Sequence, residues 1–286
     1  MAVYKRGYQR YQGPLTGYWA RFLVAPRFAW ERLFQQRQVV ILLVGAMIWP
    51  LFCAVFIYLA NHSELWAGLG GGFKNFLEVN GKFFLVFMNA QAVFAVLLAA
   101  LAGPGLIASD LANNALPLYF SRPMSRPDYV LARLLVLIGM LSLVTWIPGA
   151  ALFFMQVGMA GGGWFSENWR LGVGVVAGFL IWVLIVSLVA LACSAYVRWR
   201  VVAGGLVLGF FFVLGGVAKM VNTVFRVEWG SVLSPTAAMY QIWCDMLDVE
   251  TPLGLNTAEC IGTLVVLGVL LVVVLERKLR PVEVIS

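Results

Sequence analysis

The chain has 286 residues, of which 62% are hydrophobic and only 12% charged, with a formal net charge of +7. A soluble domain runs nearer 45–50% apolar and 25% charged, so this composition excludes an ordinary soluble domain. The positive charge lies beside long apolar runs. It therefore fits membrane orientation and anionic lipid, and no nucleic-acid partner is expected.

Runs of 18 or more apolar residues are long enough to cross roughly 30 Å of hydrocarbon. Backbone amides in lipid must be paired within the segment, so such runs are helices. The expected fold is an all-α membrane protein with six transmembrane helices, an N-terminal amphipathic interfacial helix and a short cytoplasmic coupling helix. Residues 1–38 form the cytoplasmic N-terminus, 39–275 the six-helix domain and 276–286 a cytoplasmic tail. No cleavable signal peptide is expected, because the first 38 residues are polar and aromatic.

In residues 15–37, Trp19, Phe22, Leu23, Phe28, Trp30, Leu33 and Phe34 alternate with Arg21, Arg27, Glu31, Arg32 and Arg37. Basic side chains interleaved with aromatics suit a helix in the headgroup plane. Pro26 is expected to break it into two pieces. It is either a lever feeding the first span or a passive anchor.

The spans are predicted at Val39–Ala60, Phe83–Ile107, Val130–Gln156, Leu171–Tyr196, Val201–Val221 and Ala258–Leu275. Fifteen of the 20 basic residues then fall on one side: Lys5, Arg6, Arg10, Arg21, Arg27, Arg32, Arg37, Arg122, Arg126, Arg133, Arg198, Arg200, Arg277, Lys278 and Arg280. The positive-inside rule puts that side, and both termini, in the cytoplasm. The expected location is the cytoplasmic (inner) membrane. Trp30, Tyr58, Trp66, Trp164, Trp169, Tyr196, Trp199 and Trp229 sit where interfacial anchors belong.

Span interiors hold no Asp, Glu or His near their centres, which argues against a proton relay or an intramembrane protease. Their polar residues are Asn89, Gln91, Ser142, Thr145 and Ser187. Asn89 and Gln91 are weak candidates for lining a pathway. His62 reads as a solvated loop residue. Cys53 and Cys193 read as small buried hydrophobes. Cys244 and Cys260 lie near one external loop, where a disulfide is an open possibility. No Cys/His cluster suggests a metal.

The most informative stretch is Ser109–Leu135, SDLANNALPLYFSRPMSRPDYVLARLL. Ser109 is expected to cap a helix with Asp110 in its first turn. Pro117 should end that helix near Leu116. Pro123 stiffens the residues after it, and Pro127 with Asp128 fits the first turn of the third span. Leu116, Leu118, Tyr119, Phe120 and Met124 stand beside Arg122 and Arg126. Apolar and aromatic residues flanked by arginine form a docking surface; the other reading is a loop with its aromatics in the headgroups.

Asp110, Leu116, Ser121-Arg122-Pro123, Ser125-Arg126 and Arg133 resemble the cytoplasmic signature of type-2 ABC exporter permeases. Asn114-Ala115 stands where that signature has Gly-Thr, and Tyr119-Phe120 where it has leucines. The resemblance implies a coupling helix seated in a cleft of a separate ABC ATPase subunit, docked through Asp110, Leu116, Leu118, Tyr119, Phe120, Arg122, Pro123, Ser125 and Arg126. It also implies short re-entrant helices in the last external loop, and Ser234-Pro235 is a suitable break within Val224–Pro252.

No G-x-x-x-x-G-K-[ST] loop occurs. This chain is therefore expected to be no enzyme and to hold no cofactor, with ATP and Mg bound by the partner subunit. Gly68–Gly72 and Gly158–Gly163 read as flexible connectors. Six spans would be half a pathway, so a second permease copy or a paralogue is implied. Gly174/Gly178 and Gly205/Gly209 permit close helix packing without identifying the dimer face. The alternative function is a non-transporting scaffold or assembly subunit that anchors a cytoplasmic partner through the same loop. A membrane-embedded enzyme would need a nucleophile and base at shared depth, and the spans offer no buried base.

Overall fold

The computed structural model describes residues 18–62, 78–113, 126–251 and 253–278. Its helices are α1 (Tyr18–Phe34), α2 (Arg37–Asn61), α3 (Gly81–Ala102), α4 (Pro104–Ala112), α5 (Arg126–Ser142), α6 (Trp146–Ala160), α7 (Gly162–Tyr196), α8 (Arg200–Phe225), α9 (Pro235–Met246) and α10 (Thr257–Lys278), with a 3-10 turn at Trp229–Leu233. Six helical stretches are long and apolar enough to cross a membrane: α2, α3–α4, α5–α6, α7, α8 and α10. The chain is a multi-pass membrane protein.

Side-chain ties define two faces. On one, which we term the terminal face, Arg200 donates to the Leu101 carbonyl at 3.2 Å and to Gln36 Oε1, and Lys278 lies over Tyr196. On the far face, Asn61 Nδ2 donates to Gln156 Oε1 at 2.7 Å, and Gly81 abuts the Leu247 carbonyl.

Helix α7 is the hub. It packs against α3, α4, α5, α6, α8, α9 and α10, and 72% of its most apolar stretch is buried, against 22% for α2 and for α10. Its core is aromatic and aliphatic: Phe179 and Trp182 meet Phe87, Phe211 and Trp243, and Val183, Val186 and Leu191 are buried in the same core. At 35 residues, α7 is about 52 Å long, so it overshoots the hydrocarbon and carries Ser166, Glu167, Asn168 and Arg170 off the far face.

Two spans are broken, and proline explains both. Pro104 has no N–H and its ring opposes the Ala100 carbonyl, so α3 ends at Ala102 with Gly103 as its cap. The break is then rebuilt by its neighbours. The Ser194 hydroxyl accepts from the Ala108 amide at 2.9 Å and donates to the Pro104 carbonyl at 3.2 Å, inserting itself into the helical ladder of α4. Gly204 brings α8 against the Ala100 carbonyl, where a Cβ would sit 2.6 Å away. In the third span Pro148 likewise opposes residue 144, and residues 143–145 form a turn between α5 and α6. The side chains of Ser142 and Thr145 bond back to the carbonyls of Ile138 and Leu141.

Several expectations are corrected. Pro26 does not divide α1, which runs through it from Tyr18 to Phe34, because packing on α5 holds both halves in line. Trp30, expected as an interfacial anchor, also packs within the chain: its indole N–H donates to the Val136 carbonyl at 3.1 Å and its ring fills the notch left by Gly139. The stretch Gly158–Gly163 is mainly helical; Gly161 alone, at φ +89°, makes the turn from α6 to α7. Ser109 is not a cap but an interior residue of α4 that donates to the Gly105 carbonyl. Asp110 thus lies in the last turn of that helix, and α4 ends at Ala112 rather than near Leu116, so the capping and dipole argument for this stretch fails. Gly68–Gly72 and Trp66 lie outside the described residues.

Candidate functional site

The segment 114–125 separates α4 from α5, and Leu116, Leu118, Tyr119, Phe120, Arg122, Pro123 and Ser125 lie outside the described residues, as does the side chain of Arg126. Both ends of the segment are described. Pro127 and Asp128 stand in the first turn of α5 as expected, where proline lacks only an amide that the helix would leave unused and the acid suits the helix dipole.

At the base of the segment is a buried polar cluster. Asp110 Oδ2 accepts from the Tyr129 hydroxyl at 2.7 Å and from the Arg133 guanidinium at 2.6 Å. The Asp110 and Arg133 side chains are only 14% and 10% exposed. The guanidinium also sits 5.2 Å from the centroid of the Tyr129 ring, a cation–π distance. Tyr129 and Arg133 are one helical turn apart, so they present one face to Asp110.

The physics of this cluster comes from its position. A carboxylate in the last turn of a helix faces the negative end of the dipole. Buried there, it requires a partner, and the first turns of α5 supply a cation, a hydroxyl and the positive end of a second dipole. The pair joins the exit of the second span to the entry of the third. Removing one partner strands a buried charge, at a cost of about 3–5 kcal/mol. The residues on either side of segment 114–125 are thereby fixed to each other.

Helix α1 belongs to the same region. Phe22, Ala29 and Leu33 are buried, α1 packs on α5, and the Trp30–Val136 bond lies one turn beyond Arg133. The opposite side of α1 exposes Leu23, Val24, Phe28 and Phe34, together with the Arg27–Glu31 pair at 3.4 Å.

The two pathway candidates are engaged locally. Gln91 is fully buried and donates to the Ala46 carbonyl at 3.1 Å, tying α3 to α2; its Oε1 is buried without a partner. Asn89 donates to the Leu85 carbonyl of its own helix at 2.9 Å.

On the far face, the break at Ser234-Pro235 lies where expected. Ser234 caps α9 and Pro235 opens it. The hairpin folds back into the bundle: Trp243 meets Gly178, and Met246 and Leu247 meet Gly174, both on α7. Gly178 is eight residues past Arg170, about 12 Å down the helix. The Gly174/Gly178 pair therefore serves packing within the chain. Gly205 and Gly209 on α8 face open space. Cys244 and Cys260 are buried free thiols, so the possible disulfide is absent.

Sequence reasoning missed Tyr129, Ser194 and Arg200. The spacing of Tyr129 to Arg133 was a usable signal; the other two act across more than 80 residues, with nothing local to mark them. Among the described residues no group of His, Cys, Asp and Glu could hold a metal. No family model matches the chain, and no curated protein matches it.

Proposed function

We propose that this chain is the transmembrane permease subunit of an ATP-driven exporter of the type-2 ABC kind, with its terminal face in the cytoplasm. The observation that carries the reading is the Asp110–Tyr129–Arg133 cluster. It fastens the two ends of segment 114–125, which holds the exporter-like Ser-Arg-Pro and Ser-Arg steps. A docking element transmits motion only if its base is stiff, and a buried ion pair between the flanking helices supplies that stiffness.

In this mechanism a separate ATPase subunit binds ATP and Mg. Its cleft holds Leu116, Leu118, Tyr119 and Phe120, and its acidic groups pair with Arg122 and Arg126. Closure of two such subunits displaces the segment. The Asp110 cluster passes that displacement to α4 and α5 together. The kink at Gly103–Pro104 lets α4 swing against α3, and Trp30 carries α5 motion to α1. The exposed apolar residues of α1 lie in the headgroup layer as an interfacial helix. A second permease copy or a paralogue completes the pathway.

The test is Arg122→Glu combined with Tyr119→Ala. The variant should insert into the membrane normally yet lose the ATPase that co-purifies with the tagged wild-type chain. Unchanged co-purification would overturn the docking assignment.

A further inference from the structure

The turn between α7 and α8 and the last turn of α10 come together at the terminal face. Lys278 Nζ stands 5.0 Å from the centroid of the Tyr196 ring. Helices α8 and α10 both pack on α7 and make no comparably extensive contact with each other, so the end of α7 lies exposed between them. Tyr196 is exposed there although the preceding turns of α7 are buried.

Charge collects around this opening. Arg198, Arg277 and Lys278 are exposed, and Glu276 is the acid among the described residues of these two segments. Arg200 on the same turn is committed to Leu101 and Gln36 and contributes nothing further. A cation over a ring uses the ring face on one side; the ammonium carries three donors, and those directed away from the ring remain available to an anion.

Apolar surface begins at once beneath the charge. Trp199 is 75% exposed and Val201 87%, and about one and a half turns below Lys278, Val272 and Val273 are exposed on α10. Cations, then an aromatic layer, then bare aliphatic side chains reproduce the order of headgroup, interface and acyl chain in a leaflet. A soluble anion would gain nothing from the lower half of this surface.

We propose that this opening is a binding site for one anionic phospholipid, its phosphate held by Arg198, Arg277 and Lys278 and its acyl chains lying against Val201 and α10. Tyr196 is the residue that builds the site, because its ring sets where the Lys278 ammonium stands. The site is independent of the exporter reading.

The test uses the full-length protein purified in detergent. Native mass spectrometry tracks retention of phosphatidylglycerol against phosphatidylcholine, and inorganic phosphate is added as a competitor. Each neutralised cation should weaken phosphatidylglycerol retention about fivefold, the equivalent of about 1 kcal/mol per basic residue at a membrane surface. The triple change Arg198→Gln, Arg277→Gln, Lys278→Gln should therefore weaken it roughly hundredfold. Tyr196→Leu should weaken it with the charge unchanged, and Lys278→Arg should preserve it. Arg27→Gln with Arg32→Gln, on α1 and outside the set of three cations, should leave retention as in the wild type.

Wild-type retention in the triple variant would overturn the site. So would an equal loss from the Arg27/Arg32 pair, which would mean diffuse surface charge. Displacement of the lipid by inorganic phosphate would assign the cations to a free anion, and restoration of retention only on removing a co-purified protein would assign them to that protein. Should the triple variant misfold, Tyr196→Leu and Arg198→Gln decide alone.

Discussion

Two connections in this molecule are anchored at their described residues by opposite chemistries. At the terminal face, the α4–α5 connection is held at its base by Asp110, Tyr129 and Arg133. At the far face, the Trp229–Met246 hairpin is held by an aromatic wedge, with Trp243 against Gly178, Phe179 and Trp182. The difference is one of depth. The wedge lies about 12 Å down α7, where a charge pair would have no water to return to; the indole brings one polar group there, an N–H buried without a partner. The ion pair lies at the ends of two helices, where a hydroxyl, a guanidinium and a second helix dipole keep the carboxylate partnered. It fixes α4 to α5 as the wedge fixes the hairpin to α7.

The comparison can be broken from either side, and the wedge should give the largest effect. Trp243→Ala removes a 2%-exposed indole from the core, at a cost of about 3–5 kcal/mol. Thermal unfolding in detergent should shift strongly downward, and protease cuts should appear around 234–252. Wild-type melting would mean that the hairpin is not packed as described.

The ion pair should come next. Arg133→Gln strands Asp110 and should cost about 3 kcal/mol. Asp110→Asn with Arg133→Gln should cost less than the two single changes summed, because neither buried charge is then left alone. Additive losses would mean that the two side chains do not share one bond.

Trp30→Phe removes the bond to Val136 and the outer ring atoms that fill the Gly139 notch. It should cost at least about 1 kcal/mol and loosen α1 from α5, read as faster amide exchange in Tyr18–Phe34. Smallest is Gly205→Ala on α8. Its Cβ meets open space, so the isolated chain should change by no more than about 0.5 kcal/mol, whereas Gly178→Ala on α7 would press on Trp243. Equal effects at the two glycines would erase the distinction between a filled and an open G-x-x-x-G pair.

Hydropathy made the six crossings legible, because length and apolarity are local properties. The interruptions were legible in part. Pro127 and Ser234-Pro235 act within their own turn and fell where expected. Pro104 and Pro148 also break helices, but inside apolar runs where hydropathy sees no gap. Pro26 shows the reverse case, a breaker overruled by packing on α5. Asp110 was legible as a residue of consequence, but its place in the helix was not. Where α4 starts is decided by Pro104 and by Ser194, a hydroxyl 90 residues away from it, and that contact leaves no trace in the local pattern.

The central claim is that a stiff base lets segment 114–125 hold an ATP-driven partner. The direct measurement is the ATP hydrolysis that co-purifies with the tagged full-length chain in nanodiscs, comparing wild type with Asp110→Asn/Arg133→Gln, in which 114–125 is untouched. We predict that the wild type brings down a P-loop ATPase with vanadate-sensitive activity and that the variant, equally well inserted, loses at least about tenfold of it, the equivalent of about 1.4 kcal/mol. Equal activity in both, or none with the wild type, would contradict the account.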